Sequence, residues 1–193
     1  MTRKLLLVDT ETGGRDPTAV SLLTVYAAIV EPISLEIIKE HHWKLKPDDG
    51  IFKVTAKGME INKIDLVQHS KEAQFYTTSG SRWNTEFTNF IWLANEEPVR
   101  IFGHNVYYDV ASITSAIGSE WQKHISRRQL DTAAIGAFFQ NSGLLPEELG
   151  ELSLEKLASH FGISHGTLHD AKADALLTLE VYRRFRSMIL TKV

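Results

Sequence analysis

Four carboxylates and one histidine are the residues of this 193-residue sequence best placed to do chemistry: Asp9 and Glu11, Asp109, then His169 and Asp174. Each stands beside apolar residues that fold inward, as Leu5-Leu6-Leu7-Val8 does ahead of Asp9. Acids kept next to a core cost free energy unless something compensates, and the compensation open to several acids at once is one or more divalent cations. Oxygen donors of this kind suit Mg²⁺ or Mn²⁺. The sequence has no cysteine, which excludes disulfides, thiolate metal sites and Cys nucleophiles. These residues predict a metal-dependent enzyme.

Positioning them falls to elements that can be read along the chain. Lys4 to Asp9 has the pattern of a short buried strand that ends at the polar turn Thr10-Glu11-Thr12-Gly13-Gly14. A spacing of two puts Asp9 and Glu11 on one face of an extended chain. Ser21 to Val30 and Ser34 to Leu45, separated by Glu31-Pro32, read as a hairpin continuing the sheet. Short helical pieces are predicted at Ala56-Met59 and Lys63-His69, then a polar loop from Thr77 to Ser81. Arg82 to Asn95 carries Trp83, Phe87, Phe90, Ile91 and Ala94 on one helical stripe, and Glu96-Glu97-Pro98 ends it. Val99 to Gly103 is a strand leading into His104-Asn105, with a helix from about Tyr108. Arg128 to Leu130 is a fifth strand, followed by a helix over Ala133-Gln140. Ser153 caps a helix to Phe161, and Asp170 to Leu190 forms a long final helix. Strands first, then strand and helix alternating, predict an α/β domain with a mixed sheet.

With 43% hydrophobic and 23% charged residues, the composition supports one sizeable core, so residues 1–193 are expected to form a single domain. The apolar run near the start stops after four residues at Asp9, and no segment approaches the roughly 20 apolar residues of a membrane span. A soluble, cytoplasmic protein with no membrane partner is expected. The net charge of -3 argues against coating long nucleic acid, while leaving room for a grip on one end.

Val8-Asp9-Thr10-Glu11-Thr12-Gly13 resembles the first motif of the DEDD exonuclease superfamily, an acid-x-acid pair on the first strand of a ribonuclease-H-like fold. His104-Asn105-Val106-Tyr107-Tyr108-Asp109 resembles the second motif, and His169-Asp170-Ala171-Lys172-Ala173-Asp174 the third. His169, five residues before the last acid, marks the DEDDh branch, to which the proofreading subunit of bacterial DNA polymerase III belongs; in the tyrosine-bearing branch Tyr would stand where this chain has Asp170. Ala56 through Ile64 and Leu154 through Ile163 resemble two supporting segments of that family.

The resemblance implies a ribonuclease-H-like, five-stranded mixed sheet flanked by helices. It implies a single exonuclease domain that hydrolyses single-stranded ends from the 3′ side to nucleoside monophosphates, DNA in preference to RNA. Two Mg²⁺ or Mn²⁺ ions would be held by Asp9, Glu11, Asp109 and Asp174, neutralising charge on the phosphate and the leaving oxygen. His169 would be the general base, an imidazole that accepts a proton from the attacking water near neutral pH. Thr12, Gly13 and Asn105, with the apolar Met59 and Ile61, would meet the terminal nucleotide. These five also have plain roles as capping or core residues. A polymerase or repair complex is a possible partner. Trimming of RNA, including very short oligonucleotides, is an alternative, as is a non-catalytic nucleic-acid-binding module. Against the module, clustered acids repel one another without metal.

Other groups have simpler readings. His41-His42 point to opposite faces of a strand and make a poor metal pair. Arg183, Arg184 and Arg186, near Lys192, form either a phosphate-touching face or a solvated helix end. Tyr107 and Tyr108 are candidates for stacking on a base, one of them belonging to the core. Gly13-Gly14 does not continue as a nucleotide-binding glycine fingerprint, so it reads as room for substrate beside Glu11.

Overall fold

The computed structural model describes residues 3–78, 83–92, 98–164, 166 and 169–190. The early apolar runs become an antiparallel meander of β1 (Leu5–Thr12), β2 (Leu22–Val30) and β3 (Ile37–Lys46). Its second turn closes through the Glu31 carboxylate, which accepts the Ile33 N–H at 2.7 Å. β4 (Gln74–Phe75) pairs in parallel with the end of β3. β5 (Arg100–Gly103) lies parallel to β1, and β6 (Leu130–Asp131) parallel to β5. The order β4-β3-β2-β1-β5-β6 makes a mixed six-stranded sheet, one strand more than expected. A two-residue strand is too short to show the alternation by which strands are recognised.

Caps set the helix boundaries. α1 (Ala56–Asn62) starts where the Thr55 hydroxyl accepts the Gly58 N–H, and it ends at Lys63, whose φ is 55°. Asp65 then caps α2 (Leu66–Glu72), so this helix begins three residues later than the sequence pattern placed it. α3 (Trp83–Trp92) carries the aromatic stripe. Arg82 and residues 93–97 of the predicted helix and its end, and 79–81 of the preceding loop, lie outside the described residues. α4 (Tyr107–Ile117), α5 (Thr132–Asn141), α6 (Leu154–His160) and α7 (Ala171–Leu190) complete the set, with 3-10 turns at Glu120–His124 and Glu147–Leu149. The Ser153 hydroxyl caps α6 as expected, accepting the Lys156 N–H.

Every residue of β2 is buried, because helices cover both faces of the sheet. On one face Trp43, Trp83, Phe87, Phe90 and Trp121 pack with Val106, just before α4, and Ile113 within it. On the other, Leu5, Leu7, Tyr26 and Ala28 meet Ala171, Ala175 and Leu179, whose small alanines let α7 approach closely. Phe139, Leu157 and Phe185 tie α5 and α6 to α7.

One mismatch of strand lengths opens the site. β1 does not end at Asp9, as the polar turn residues suggested, but continues to Thr12 because β2 pairs with it as far as Thr12↔Leu22. β5 pairs only with Leu5 to Leu7. On that side Asp9 to Thr12 project past the neighbouring strand, and the start of α4 occupies the gap.

Candidate active site

Asp9 has the parity of Leu5 and Leu7, so its side chain faces the first turn of α7. Burial pushes its carboxyl well above the ordinary range, and the nearby acids Asp109, Glu11, Asp174 and Asp170 push it the same way. Glu11 is buried, and its carboxyl is pushed up to about 8, first by burial and then by Asp174, Asp170 and Asp109. Asp109, in the first turn of α4, is 5% exposed and raised by burial to about 7. The Thr10 hydroxyl donates to its Oδ1 at 2.7 Å and opposes that shift. Asp174 Oδ2 accepts the His169 backbone N–H at 3.0 Å, and the Asp170 carboxylate accepts the Ala173 N–H at the head of α7. His169 adopts φ 72° just before the helix, a left-handed turn unusual for a residue with a side chain.

The five residues therefore come from β1, α4 and the entry to α7 to one place. Ligand atoms of Glu11, His169 and Asp174 lie within 4.8 Å of one another, so these three could hold a metal ion. Asp9 and Asp109 adjoin them, each coupled electrostatically to the group. Carboxylate oxygens with one imidazole fit Mg²⁺ or Mn²⁺ chemically, and a cation would offset the burial and mutual repulsion that raise these carboxyls.

A cleft of about 660 Å³ opens beside Glu11, with Thr12, Arg15, Gly58, Ile61 and Tyr108 in its walls. Thr12 uses its hydroxyl to donate to the Gly14 carbonyl at 2.7 Å, and the Gly13 N–H donates to Ser21 O at 2.8 Å. Met59 sits on α1 near the cleft without being among its lining residues. Asn105, exposed and at φ 56°, lies in the bend before α4, where its N–H donates to Asp131.

Three residues shape the site through contacts not anticipated from the sequence. Asp131 accepts the N–H groups of Asn105, Val106 and Ala133, pinning the bend that leads to Asp109 while capping α5. Tyr108 donates to Gly14 O at 2.6 Å. Asn62 donates to Thr12 O at 2.9 Å. From sequence, Asp131 stands only between a strand and a helix, Tyr108 is only a residue that could stack on a base, and Asn62 is not singled out. The second motif's histidine, His104, is engaged with the Thr132 hydroxyl at 2.9 Å.

The simpler readings resolve as well. His42 stacks edge-on against Tyr26 and is held below the ordinary imidazole range by burial, while His41 lies against Trp43. Arg183 and Arg186 donate to the carbonyls of Leu35 and Ile33, bracing the β2–β3 turn. Arg184 pairs with Glu180, and Lys192 lies outside the described residues. Tyr107 is exposed and Tyr108 partly buried.

The mixed sheet flanked by helices is the ribonuclease-H-like architecture of the exonucleases it resembles. Among solved structures, Escherichia coli exonuclease I in complex with a dT13 oligonucleotide superposes with TM-score 0.74 at 20% identity, over 97% of this chain and 42% of that one. A moderately thermophilic exonuclease I from Methylocaldum szegediense gives 0.77 at 18%, covering 96% and 41%. Cell-death related nuclease 4 gives 0.70 at 16%, covering 96% and 64%. The chain thus spans about two fifths of the exonuclease I chains, and the likeness is one of fold. Compared by sequence, it matches no family profile and no curated protein. The narrower likeness to a polymerase proofreading subunit rests on the motifs alone. Among the described residues no helix is long and apolar enough to cross a membrane.

Proposed function

We propose that the chain is a 3′-to-5′ exonuclease domain of the DEDDh type, spanning residues 1–193, that releases nucleoside monophosphates from single-stranded ends. The observation that carries this reading is the convergence of Asp9, Glu11, Asp109, Asp174 and His169 beside an open cleft, with the Asp9 and Glu11 carboxyls raised by burial and by the neighbouring acids and that of Asp109 by burial. A protein without catalytic use for such a cluster has no physical reason to bear its cost. Two Mg²⁺ or Mn²⁺ ions, held by Asp9, Glu11, Asp109 and Asp174, supply charge neutralisation for the phosphate and the leaving 3′-oxygen when bound.

The chain's own groups do the rest. The cleft wall of Gly58 and Ile61 receives the terminal nucleoside, and Thr12 and Gly13 exchange their internal hydrogen bonds for contacts to it. Met59 and Asn105 border that end. His169, exposed and tethered through its backbone to Asp174, presents its imidazole to the attacking water and takes the proton. DNA is the preferred strand; a dT13 oligonucleotide is the ligand of one exonuclease I that shares the fold.

The test is digestion of 5′-labelled single-stranded DNA and RNA in Mg²⁺, Mn²⁺ or EDTA. The expected result is stepwise shortening from the 3′ end, faster on DNA, and none in EDTA. Shortening that persists in EDTA contradicts the metal-dependent mechanism, and faster loss of RNA reverses the substrate preference.

A further inference from the structure

β1 and β2 pair in step as far as Glu11↔Thr24 and then slip, so that Thr12 faces Leu22 and Leu23 becomes the extra residue. Such a bulge breaks the ladder and re-aims the side chains next to it. Here the break falls at Glu11, a member of the acid-histidine cluster. The Thr12 carbonyl receives a side-chain donor at this point: Asn62 Nδ2, at 2.9 Å. Asn62 closes α1, is 8% exposed, and uses its Oδ1 to accept the Ile64 N–H at 3.0 Å. Both ends of a buried amide are thereby satisfied, and α1, which carries Ile61 of the cleft wall, is joined to the residue that follows Glu11.

We propose that Asn62 is a positioning residue for Glu11, holding the Thr12 carbonyl across the bulge so that the Glu11 carboxylate keeps its aim toward His169 and Asp174. This rests on the metal-dependent reading above. Groups that orient a metal ligand without belonging to the ligand set change metal affinity by about 10- to 100-fold when lost, so the affinity of the centre for a divalent ion should respond to an amide outside the acid cluster.

The experiment measures Mn²⁺ affinity by electron paramagnetic resonance for the wild-type protein, Asn62→Leu, Asn62→Asp and Asp65→Ala, with thermal melts of each. Asn62→Leu removes both bonds. Asn62→Asp keeps an acceptor for Ile64 N–H and loses the amide donor to Thr12; its added negative charge would by itself tighten cation binding. Asp65→Ala removes the cap of α2 three residues away, a loss of local stability that leaves the Asn62 bond to β1 in place. The expected result is Mn²⁺ binding weakened about 10-fold in both Asn62 variants and unaltered in Asp65→Ala, with kcat on single-stranded DNA falling more than KM changes. Unaltered Mn²⁺ affinity in the Asn62 variants, or an equal loss in Asp65→Ala, overturns the proposal. If Asn62→Leu is unfolded at the assay temperature, Asn62→Asp decides. Wild-type protein that binds Mn²⁺ without cleaving nucleic acid overturns the nuclease reading and leaves the role of Asn62 standing; wild-type protein that binds no Mn²⁺ overturns both.

Discussion

Glu11 and Asp109 illustrate how a site can be destabilising until it is filled. Burial pushes their folded carboxyls up to about 8 and about 7, from ordinary values of 4.5 and 3.8, and Asp9 is raised in the same direction. Between those limits the folded state holds protons that the unfolded chain has released. Stability from these groups is therefore greatest at low pH and is lost as pH rises toward 8. In EDTA, the melting temperature should fall from about pH 5 to about pH 8 and fall less in Glu11→Gln, while excess Mg²⁺ restores the wild-type value at the upper end. A wild-type slope retained in Glu11→Gln contradicts this assignment. The acids and His169 were legible in the sequence because their types and spacing are informative without a structure. Asn62 and the contact that Tyr108 makes were not, since each acts on a backbone carbonyl 50 or 94 positions away, and that proximity exists only in the folded chain.

Elements bring these residues together through close backbone packing. A Cβ on Gly58 would lie 2.3 Å from the Gly13 carbonyl oxygen, and one on Gly13 would lie 2.5 Å from Lys53 O. The start of α1, the loop after β1 and the 53–55 segment are thus interlocked backbone against backbone, with Thr55 N–H donating to Gly13 O at 2.7 Å. Gly58→Ala forces α1 away from β1, at a cost of about 1–3 kcal/mol. It should raise KM for single-stranded DNA by at least severalfold, as substrate titrations and melts will report; unaltered KM and melting temperature contradict the interlock. Helices with strong caps, α6 at Ser153 and α7 at Asp170, were readable to within a residue. β4 and the full extent of β1 were not, because partner strands rather than local pattern determine where pairing stops.

At the scale of the whole molecule, a sheet whose central strand β2 is buried throughout holds the site, and the short pairing of β5 leaves the end of β1 free to meet the start of α4, where four acids and a histidine gather. The β2–β3 hairpin, the mixed character of the sheet and the order of most elements followed from the pattern of apolar segments; that β1 outruns β5 depends on register, which no periodicity encodes. A fold shared with exonuclease I at 20% identity fits that division, since the arrangement of layers survives where most side chains differ. The account's central claim is that the acids are there to do metal-assisted cleavage. The most direct measurement is the rate of mononucleotide release from single-stranded DNA in Mg²⁺ by wild-type and Asp9→Ala proteins, with melting temperatures taken in EDTA. The account predicts a loss of at least about 1,000-fold in rate, or about 4 kcal/mol of transition-state stabilisation, in a protein that melts no lower than the wild type, because a buried, repelled carboxyl has been removed. Release within a few-fold of the wild-type rate by folded Asp9→Ala protein would contradict it.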